Sequence, residues 1–469
     1  MFDRKLLSKV AQSNVTDDMT VTETYNLAIN EPYDKETNPN GVLNLGVAVN
    51  KLQEDIMLEK LNSINQVTRK DLEYGDHTGS IELRTQIANT VNRHFNVHEN
   101  VNPNDIVVVN GCTAGIDVIA SVICDPGDAV LVSTPYYYSL EEDVNLRVKA
   151  VLVSVPIPID ETQEKSQVKY YEEKFNELES KGIKTKMIIL CNPHNPLGKN
   201  YSREALESIL EFANKHKIFV LMDEIYALSV YRGKTVEDIE NIRQTSKNTF
   251  SDTENNDDVL YPFISVLSFD NLDQIIDPSL VIVIHGLSKD FCLNGFRLGW
   301  IISPWNKRFT QAAQNIGVFS YQAIFIQSMI TKLLSDTQFI DSFINLVNKN
   351  LLENYTKTTQ FLTENNIKYV PAQAGLFICV NLGNLLIKWK NKQLEKQYGN
   401  KYEKVLSIKQ VTFEDEFNMW VDIVHNGRIY ITSGFHIRAH EPGWARLIFA
   451  IPWEQLKLGL ERLIEFVEK

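Results

Sequence analysis

Short apolar runs, each followed at once by polar or glycine-rich residues, constrain the fold of this chain more than any other feature. Runs of mostly Val, Ile, Leu and Met occupy residues 106–109, 129–132, 187–190, 218–222 and 280–284, and segments with helical periodicity separate them. Because strands that alternate with helices form βαβ units, the pattern predicts an α/β fold with a mostly parallel sheet between helices.

The segments that follow the runs are where a binding site is expected. Ligands of such sheets bind beyond the carboxyl ends of the strands. Here those ends carry GCT after Val109, PYYY after Thr134, NPHNPLG after Cys191, DEIY after Met222 and GLSK after His285. Polar segments at one edge of a sheet predict one shared site.

Composition and charge exclude several classes of protein. The chain has 469 residues, 43% of them hydrophobic and 23% charged, which is typical of a globular enzyme and not of a disordered chain. A formal net charge of −13 argues against nucleic acid or an anionic membrane as a partner. Five cysteines without a CxxC pair indicate free thiols, a reducing compartment and no metal site. Since no secretory signal or membrane-spanning run is visible, we expect a cytoplasmic protein.

The same pattern divides the chain into three regions. Residues 71–320 are predicted to form a large domain around the sheet, and residues 1–70 an N-terminal arm with part of a small domain. Residues 321–469 begin with helical periodicity and end with strand-like runs, which predicts a small α+β domain. Residues 233–258 and 388–404 are polar or lysine-rich and are expected to be surface excursions.

Two ionisable side chains in the polar segments could carry chemistry. Lys289 follows an apolar run in a turn with Gly and Ser, and a buried lysine loses its proton readily and can form a Schiff base. Asp223 follows another run and could hold a protonated ring nitrogen. The alternative for each is a role at a helix end, which is common for Asp.

Two arginines and an asparagine could bind anionic or oxygen-bearing groups. Arg297, in GFRLGW, could bind a phosphate with its planar fork of donors. Arg446 enters an apolar run, where it could hold a substrate carboxylate or form a structural ion pair. Asn195 is held between prolines in NPHNPLG and could offer its amide to a ligand oxygen.

The GCTAG segment and the nearby tyrosines complete the candidate site. GCTAG lies between a strand and a helix, so its backbone amides suit a phosphate, although it is neither a Walker loop nor GxGxxG. Either Tyr136 or Tyr137 could stack on a planar ring, or both could belong to the core. Tyr226 could place its hydroxyl on the ligand of Asp223. A lysine, a ring-nitrogen partner and phosphate donors are together what pyridoxal phosphate needs.

Eight segments in family order carry a resemblance to known enzymes. They are NPNGVLNLGVAVNKL, TPYYYSLEED, NPHNPLG, DEIYALSVY, LSKDFCLNGFRLGW, AGLFICVNL, TFEDEFNMW and HEPGWARLIFA. The chain resembles fold-type I pyridoxal-phosphate enzymes of the class I and II aminotransferases, and within them the 1-aminocyclopropane-1-carboxylate (ACC) synthase-like branch. The resemblance implies a seven-stranded large domain, a smaller domain, and a homodimer with shared active sites.

The resemblance also implies a role for each motif residue. Lys289 binds the cofactor covalently and moves the α-proton, Asp223 pairs with the ring nitrogen, and Arg446 holds the substrate carboxylate. The remaining cofactor contacts fall to the phenolic-oxygen pair Asn195 and Tyr226, the phosphate group Cys112, Thr113, Ser288 and Arg297, the stacking Tyr137, and Tyr74 from a neighbouring subunit.

Three positions depart from the ACC synthase pattern. Val49 stands where these enzymes have an acid near the substrate, and His77 stands where they have a tyrosine. Tyr74 matches the tyrosine of aminotransferases at large. Gly286 replaces a serine that usually binds the phosphate. The first two positions concern substrate handling, so we include Val49 and His77 among the candidate substrate-binding residues.

Transamination of an L-α-amino acid is the function that this sequence favours. ACC synthase chemistry on S-adenosylmethionine is the alternative, since it uses the same cofactor residues and the overall similarity points to it. Val49 favours transamination because valine offers only an apolar surface. A non-catalytic protein with the same fold is a third possibility, and the presence of the lysine, the aspartate and both arginines argues against it.

Overall fold

Two sheets organise the computed structural model of this chain, which describes residues 6–16, 18–249, 259–399 and 401–468. The strands are β1 (Leu43–Asn44), β2 (Ile106–Val109), β3 (Ala129–Thr134), β4 (Val151–Pro156), β5 (Thr185–Cys191), β6 (Phe219–Asp223), β7 (Val281–Gly286), β8 (Gly299–Ile302), β9 (Lys368–Val370), β10 (Phe377–Asn381), β11 (Ile429–Tyr430), β12 (Thr432–Ser433) and β13 (Trp444–Ile448).

The α-helices surround these sheets. They are α1 (Lys9–Ser13), α2 (Thr20–Asn30), α3 (Glu54–Ile64), α4 (Ile81–His94), α5 (Gly111–Ile123), α6 (Ser139–Asn145), α7 (Val168–Ser180), α8 (Arg203–His216), α9 (Val236–Thr249), α10 (Leu272–Ile275), α11 (Leu287–Asp290), α12 (Lys307–Ile316), α13 (Ile324–Ser335), α14 (Thr337–Glu364), α15 (Gly383–Tyr398), α16 (Phe413–Asp422) and α17 (Trp453–Glu468). No helix in the described ranges combines the length and apolarity needed to cross a bilayer.

The large sheet has seven strands in the order β2-β8-β7-β6-β5-β3-β4. Neighbours from β4 to β7 pair in parallel, while β8 runs antiparallel to both β7 and β2. Every residue of β2, β3 and β7 is buried, because helices cover both faces, and this explains why these strands read as continuous apolar runs. The predicted α/β class with a mostly parallel seven-stranded sheet is confirmed.

The small sheet has four antiparallel strands in the order β12-β13-β10-β9. Arg446 lies on β13, where it pairs with Cys379 of β10 on one side and Thr432 of β12 on the other. Near the other end of the chain, β1 pairs in parallel with β11, so residues 43–44 join residues 429–430. This pairing brings the segment after β1 to the small sheet.

Five strands were not predicted from the sequence. In the large sheet they are β4, at its edge, and the four-residue β8. Elsewhere they are the short strands β1, β9 and β12. The expected excursion 233–258 contains α9, and its residues 250–258 lie outside the described residues. The excursion 388–404 continues α15, with residue 400 outside the described residues. The GCTAG segment is also the first turn of α5, not a turn before it.

Candidate active site

A cavity of about 480 Å³ lies beyond the carboxyl ends of the central strands of the large sheet. Its floor consists of the polar segments after β2, β3, β5, β6 and β7, and its opposite wall comes from α2, residues 46–48 and the small sheet. The predicted site residues that line it are Cys112, Thr113, Tyr137, Asn195, Asp223, Tyr226, Ser288, Lys289, Arg297 and Arg446.

Lys289 lies on the short helix α11, directly after β7. Its Nζ donates a hydrogen bond to the carbonyl oxygen of Ala48 at 2.7 Å, so the side chain points away from its own helix and does not cap it. Burial, and next the charge of Arg446, lower the pKa of Lys289 to about 8. Roughly one tenth of the amine is therefore uncharged at pH 7, far more than for an exposed lysine, and the uncharged amine is the form that acts as a nucleophile or base.

Asp223 is the last residue of β6 and is buried. Burial raises the pKa of Asp223 to about 6, although the backbone amide of Ile225 and the charges of His285 and Lys289 oppose this rise. A turn follows β6, not a helix, so the alternative role as a helix N-cap does not apply. A buried carboxyl of this kind is stabilised when a cationic ring nitrogen binds next to it.

Arg446 is buried, and its hydrogen bonds all go to neutral oxygens. Nη1 donates to Oδ1 of Asn195 at 3.0 Å, while Nη2 donates to the Gly46 carbonyl at 2.7 Å and to Oγ1 of Thr432 at 3.2 Å. The Nε atom has no partner, and no carboxylate in the described ranges forms an ion pair with this guanidinium. Arg446 therefore keeps its charge available for an anionic ligand, and the alternative of a structural ion pair does not apply.

The phosphate side of the cavity is formed by the start of α5 and Arg297. Gly111 has φ +85°, and a Cβ atom there would lie 2.7 Å from Nη2 of Arg297. Asn110, the N-cap residue, makes no side-chain capping hydrogen bond, so it leaves the first backbone amides of α5 uncapped. Uncapped amides at a helix N-terminus, next to a guanidinium, fit the phosphate of pyridoxal phosphate.

Gly286, which departs from the family pattern, has a local explanation. A Cβ atom at this position would lie 2.9 Å from the Leu298 carbonyl oxygen and 3.1 Å from Sγ of Cys112. A serine would therefore require β7, β8 or α5 to move. The cavity keeps Ser288, Thr113 and Arg297 at its phosphate side.

The two tyrosines after β3 have different environments. Tyr136 is 3% exposed, and its hydroxyl donates to Oε1 of Glu141 at 2.8 Å and lies 3.2 Å from Oγ of Ser154. Both tyrosines line the cavity, but Tyr137 is 37% exposed. Tyr137 is thus the better placed of the two to stack on a planar ring, while Tyr136 is fixed by its hydroxyl.

Three predicted site residues do not line the cavity of the single chain. Tyr74 is 98% exposed, and His77 and Val49 are half-buried. Its neighbours Val47 and Ala48 line the cavity, whereas Val49 does not. The carbonyl of Ala48 accepts the hydrogen bond from Lys289.

Several cavity residues were missed by the sequence analysis. Most come from the wall opposite the large sheet, while two lie on the large-sheet side. The former are Val21, Thr22 and Tyr25 of α2, Tyr430, Thr432 and His436, and the latter are Tyr138 and Asn294. The ring of Tyr25 makes an edge contact with Tyr430, their centroids 5.9 Å apart. Of these residues, His436 could most readily have been predicted from the sequence. It lies close in sequence to Arg446, and a histidine near a candidate substrate-binding arginine is itself a candidate site residue.

Comparisons with known proteins agree with this geometry. The family model for aminotransferase class I and II matches residues 22–463. 1-Aminocyclopropane-1-carboxylate synthase CMW33 from Cucurbita maxima is 27% identical, over 94% of this chain and 81% of that protein. A probable inactive 1-aminocyclopropane-1-carboxylate synthase-like protein 2 from Homo sapiens is 29% identical, over 95% of this chain and 70% of that protein. The structure of aspartate aminotransferase from Thermotoga maritima superposes with a TM-score of 0.68 at 19% identity, covering 99% of this chain and all of that one.

Proposed function

The chain belongs to the class I and II aminotransferases, a family of enzymes that depend on pyridoxal 5′-phosphate, and we propose that it transaminates an L-α-amino acid. The observation that carries the proposal is that Lys289, Asp223 and Arg446 line one cavity. Position 49, next to the cavity-lining Ala48, is an apolar valine.

The residues of the large sheet would hold the cofactor. Lys289 would bind it covalently, and Asp223 would pair with the ring nitrogen. The ring would stack on Tyr137, with its phenolic oxygen near Asn195 and Tyr226. The phosphate would lie among Cys112, Thr113, Ser288 and Arg297. When bound, pyridoxal phosphate supplies an electron sink for the α-carbon of an amino acid.

Arg446 would orient the substrate by its carboxylate. A guanidinium binds a carboxylate through two parallel hydrogen bonds, which fixes the direction of the ligand as well as its place. The Gly46 carbonyl and Thr432 already hold Nη2, so the fork is oriented before the substrate arrives. This pre-organisation reduces the entropy lost on binding.

Lys289 would move the α-proton. With a pKa of about 8 in the unliganded site, set mainly by burial, its amine can both accept and return a proton near neutral pH. The hydrogen bond from Nζ to the Ala48 carbonyl gives the amine a defined place beside the substrate wall. Val21 and Tyr25 line the same wall and would limit the entry of water.

A homodimer with shared sites is part of the proposal. Tyr74 is almost fully exposed, and the exposed side chains of Leu72 and Phe319 are of the apolar kind that a subunit interface covers. Gly75 packs against Ile324 at the start of α13, close in sequence to Phe319. A second copy at this surface would bring its Tyr74 to the cofactor phosphate.

ACC synthase chemistry is the second candidate, favoured by the similarity to the Cucurbita synthase along most of both chains. One experiment separates the two functions. The holoenzyme is incubated with single L-amino acids and with S-adenosylmethionine. Absorbance follows conversion of the cofactor to its amine form, and mass spectrometry detects ACC and methylthioadenosine. Transamination predicts cofactor conversion by at least one amino acid and little methylthioadenosine. Efficient ACC formation without cofactor conversion would support the alternative.

The site of cofactor attachment is tested separately. Borohydride reduction followed by peptide mapping should place the label on Lys289. A label on a different lysine, or none on cofactor-saturated protein, would contradict the cofactor-binding roles proposed for Lys289 and for the residues around it.

A further inference from the structure

Residues 434–443 connect β12 to β13 and cross from the small sheet to α6 of the large-sheet side; we call them the bridging segment. At its centre, Arg438 contacts Glu141, 297 residues earlier in the chain. Glu141 lies on α6, five residues after Tyr136. The bridging segment therefore links the sheet that carries Arg446 to the helix that follows the stacking tyrosine.

The bridging segment is fixed at both ends on the small-sheet side by one buried carboxyl. Oε2 of Glu416 accepts a hydrogen bond from the Phe435 amide at 2.7 Å, and Oε1 accepts one from the Gly443 amide at 2.7 Å. A Cβ atom at Gly434 would lie 2.8 Å from Oε1 of Glu416, so the backbone there packs directly on the carboxyl. The segment is thus a closed loop on α16, not a free connection.

On the opposite side, the contact to α6 is bidentate. Nε of Arg438 donates to Oε1 of Glu141 at 2.6 Å, and Nη2 donates to Oε2 at 2.8 Å. The Tyr136 hydroxyl donates to the same Oε1, and the Tyr136 amide donates to the Ile437 carbonyl at 2.9 Å. Although burial raises the pKa of Glu141, the hydrogen bonds from Arg438 and Tyr136 outweigh it and lower the pKa overall. Glu141 is therefore the point where Arg438 and Tyr136 meet.

Apolar packing supports this contact. Ile437 and Ala439 are buried in a small cluster with Leu197, Val370 and Cys379. Leu197 is two residues after Asn195, and Cys379 pairs with Arg446 across the small sheet. The bridging segment thus packs against Leu197, close to Asn195 in the sequence, and against Cys379, the strand partner of Arg446.

We propose that Arg438 is a positioning residue, which fixes the distance between the stacking Tyr137 and the carboxylate-binding Arg446 through Glu141 and Tyr136. This inference rests on the proposed function of the cavity. Tyr137 follows Tyr136 directly, and Arg446 lies eight residues after Arg438, so movement at the ion pair changes the width of the cavity between them. Arg438 does not line the cavity, so its effect on the reaction is indirect.

A surface ion pair of ordinary effect is the alternative. The side chains of Arg438 and Glu141 are 39% and 36% exposed, and exposed pairs often contribute little to stability. Stability alone therefore cannot distinguish the two roles, whereas substrate affinity and the surroundings of the bound cofactor can.

The chain offers a matched control. Arg147 and Asp117 form an arginine–carboxylate pair at 2.9 Å just beyond the end of α6, but both partners belong to the large-sheet side. Arg147→Met removes a cation near the same helix without touching the link between the two sheets. Arg438→Met, Glu141→Gln and the charge exchange Glu141→Arg with Arg438→Glu are the test variants.

The test measures steady-state kinetics and the visible circular dichroism of the cofactor in each holoenzyme. Arg438→Met should raise KM roughly tenfold with a smaller change in kcat, since a bidentate charged contact is lost. It should also change the dichroism of the bound cofactor, because Tyr137 shifts. Glu141→Gln should do the same, the charge exchange should restore part of both signals, and Arg147→Met should change neither.

Unchanged KM and dichroism in Arg438→Met, or equal changes in Arg147→Met, would overturn the proposal. If Arg438→Met does not fold, Glu141→Gln decides, because it keeps an acceptor oxygen for Tyr136 but removes the charge and the second acceptor that Arg438 uses. The KM comparison can be made with an amino acid or with S-adenosylmethionine, whichever the enzyme consumes. Failure of the transamination assignment is therefore distinguishable from failure of this inference.

Discussion

The cavity has two halves that are built in different ways. The cofactor half comes from residues 111–297, where each functional group follows a strand of one sheet. The substrate half comes from α2, residues 46–48 and residues 430–446, which are joined by long-range contacts such as the pairing of β1 with β11 and the bond from Arg446 to Gly46. Local strand-end geometry therefore sets the first half and long-range pairing sets the second. If the proposed roles hold, we expect changes in the substrate half to alter substrate preference while cofactor affinity stays the same.

The largest expected effect is in the cofactor half, with Asp223→Ala. Removing the carboxyl leaves the ring nitrogen without its counter-charge, so turnover should fall on the order of 10²–10³-fold. A lost helix cap would instead cost about 0.5–2 kcal/mol of stability and leave the chemistry unchanged. Single-turnover kinetics on folded, cofactor-loaded protein measure the loss. Near-normal turnover would mean that the chemistry of the cofactor half does not depend on the carboxyl of Asp223.

Arg446→Lys tests the substrate half. Lysine keeps the charge but loses the two-point contact with a carboxylate, so kcat/KM for any α-amino acid should fall roughly 10- to 100-fold. Cofactor affinity, measured by fluorescence titration, should stay within about twofold if the halves are independent. A parallel loss of cofactor affinity would show that Asn195, which accepts a hydrogen bond from Arg446, couples the two halves.

The pH dependence of cofactor binding tests the lowered pKa of Lys289. Because burial lowers the pKa of this lysine to about 8 in the unliganded protein, the amine is protonated below that pH and reactive above it. The rate at which apoenzyme binds pyridoxal phosphate should rise about tenfold per pH unit below 8 and level off above it. Stopped-flow absorbance between pH 6 and 9.5 gives the profile. A rise that continues to pH 9.5 would indicate an ordinary lysine.

The smallest expected effect is at Val49, beside the substrate half. An added carboxylate would favour a cationic sulfonium by about 1 kcal/mol, or roughly fivefold, since Val49 is only half-buried and lies next to the lining residues. In Val49→Glu, the ratio of methylthioadenosine to transamination product should rise by that factor. Val49→Gln is the control, because it adds similar volume without charge. An equal shift in both variants would exclude an electrostatic cause.

The fold and the cofactor half were predictable because the information is local. An apolar run that is buried on both faces shows its strand in the sequence, and the residue after it, such as Asp223 or Lys289, is placed at the sheet edge by that strand. In the substrate half, Arg446 was predicted because a charge in an apolar run is visible in the sequence, but the residues around it gave no comparable signal. The ring centroids of Tyr25 and Tyr430 lie 5.9 Å apart, but no feature of the sequence near either residue predicts that they are in contact.

One smaller error and one choice that the sequence left open have the same origin. Residues 388–404 are lysine-rich, so the sequence did not indicate that α15 continues into them. The buried face of α15 is formed at its start by Leu385, Leu386 and Trp389. The choice between Tyr136 and Tyr137 as the stacking residue depends on which hydroxyl reaches Glu141, and that contact involves the fold around α6. Both outcomes depend on contacts in the folded structure that the local sequence pattern does not show.

The bond from Arg446 to the Gly46 carbonyl has a consequence for the order in which the enzyme is made. The two residues are 400 positions apart, so Gly46 is synthesised long before its partner. Every strand of the large sheet precedes residue 303, and domains generally fold as units during translation, N-terminal parts first. A nascent chain can therefore complete the cofactor half while the segment around Gly46 still waits for the strand that carries Arg446. If Arg446 binds the substrate as proposed, the substrate half of the cavity is the last part of the site to form during synthesis.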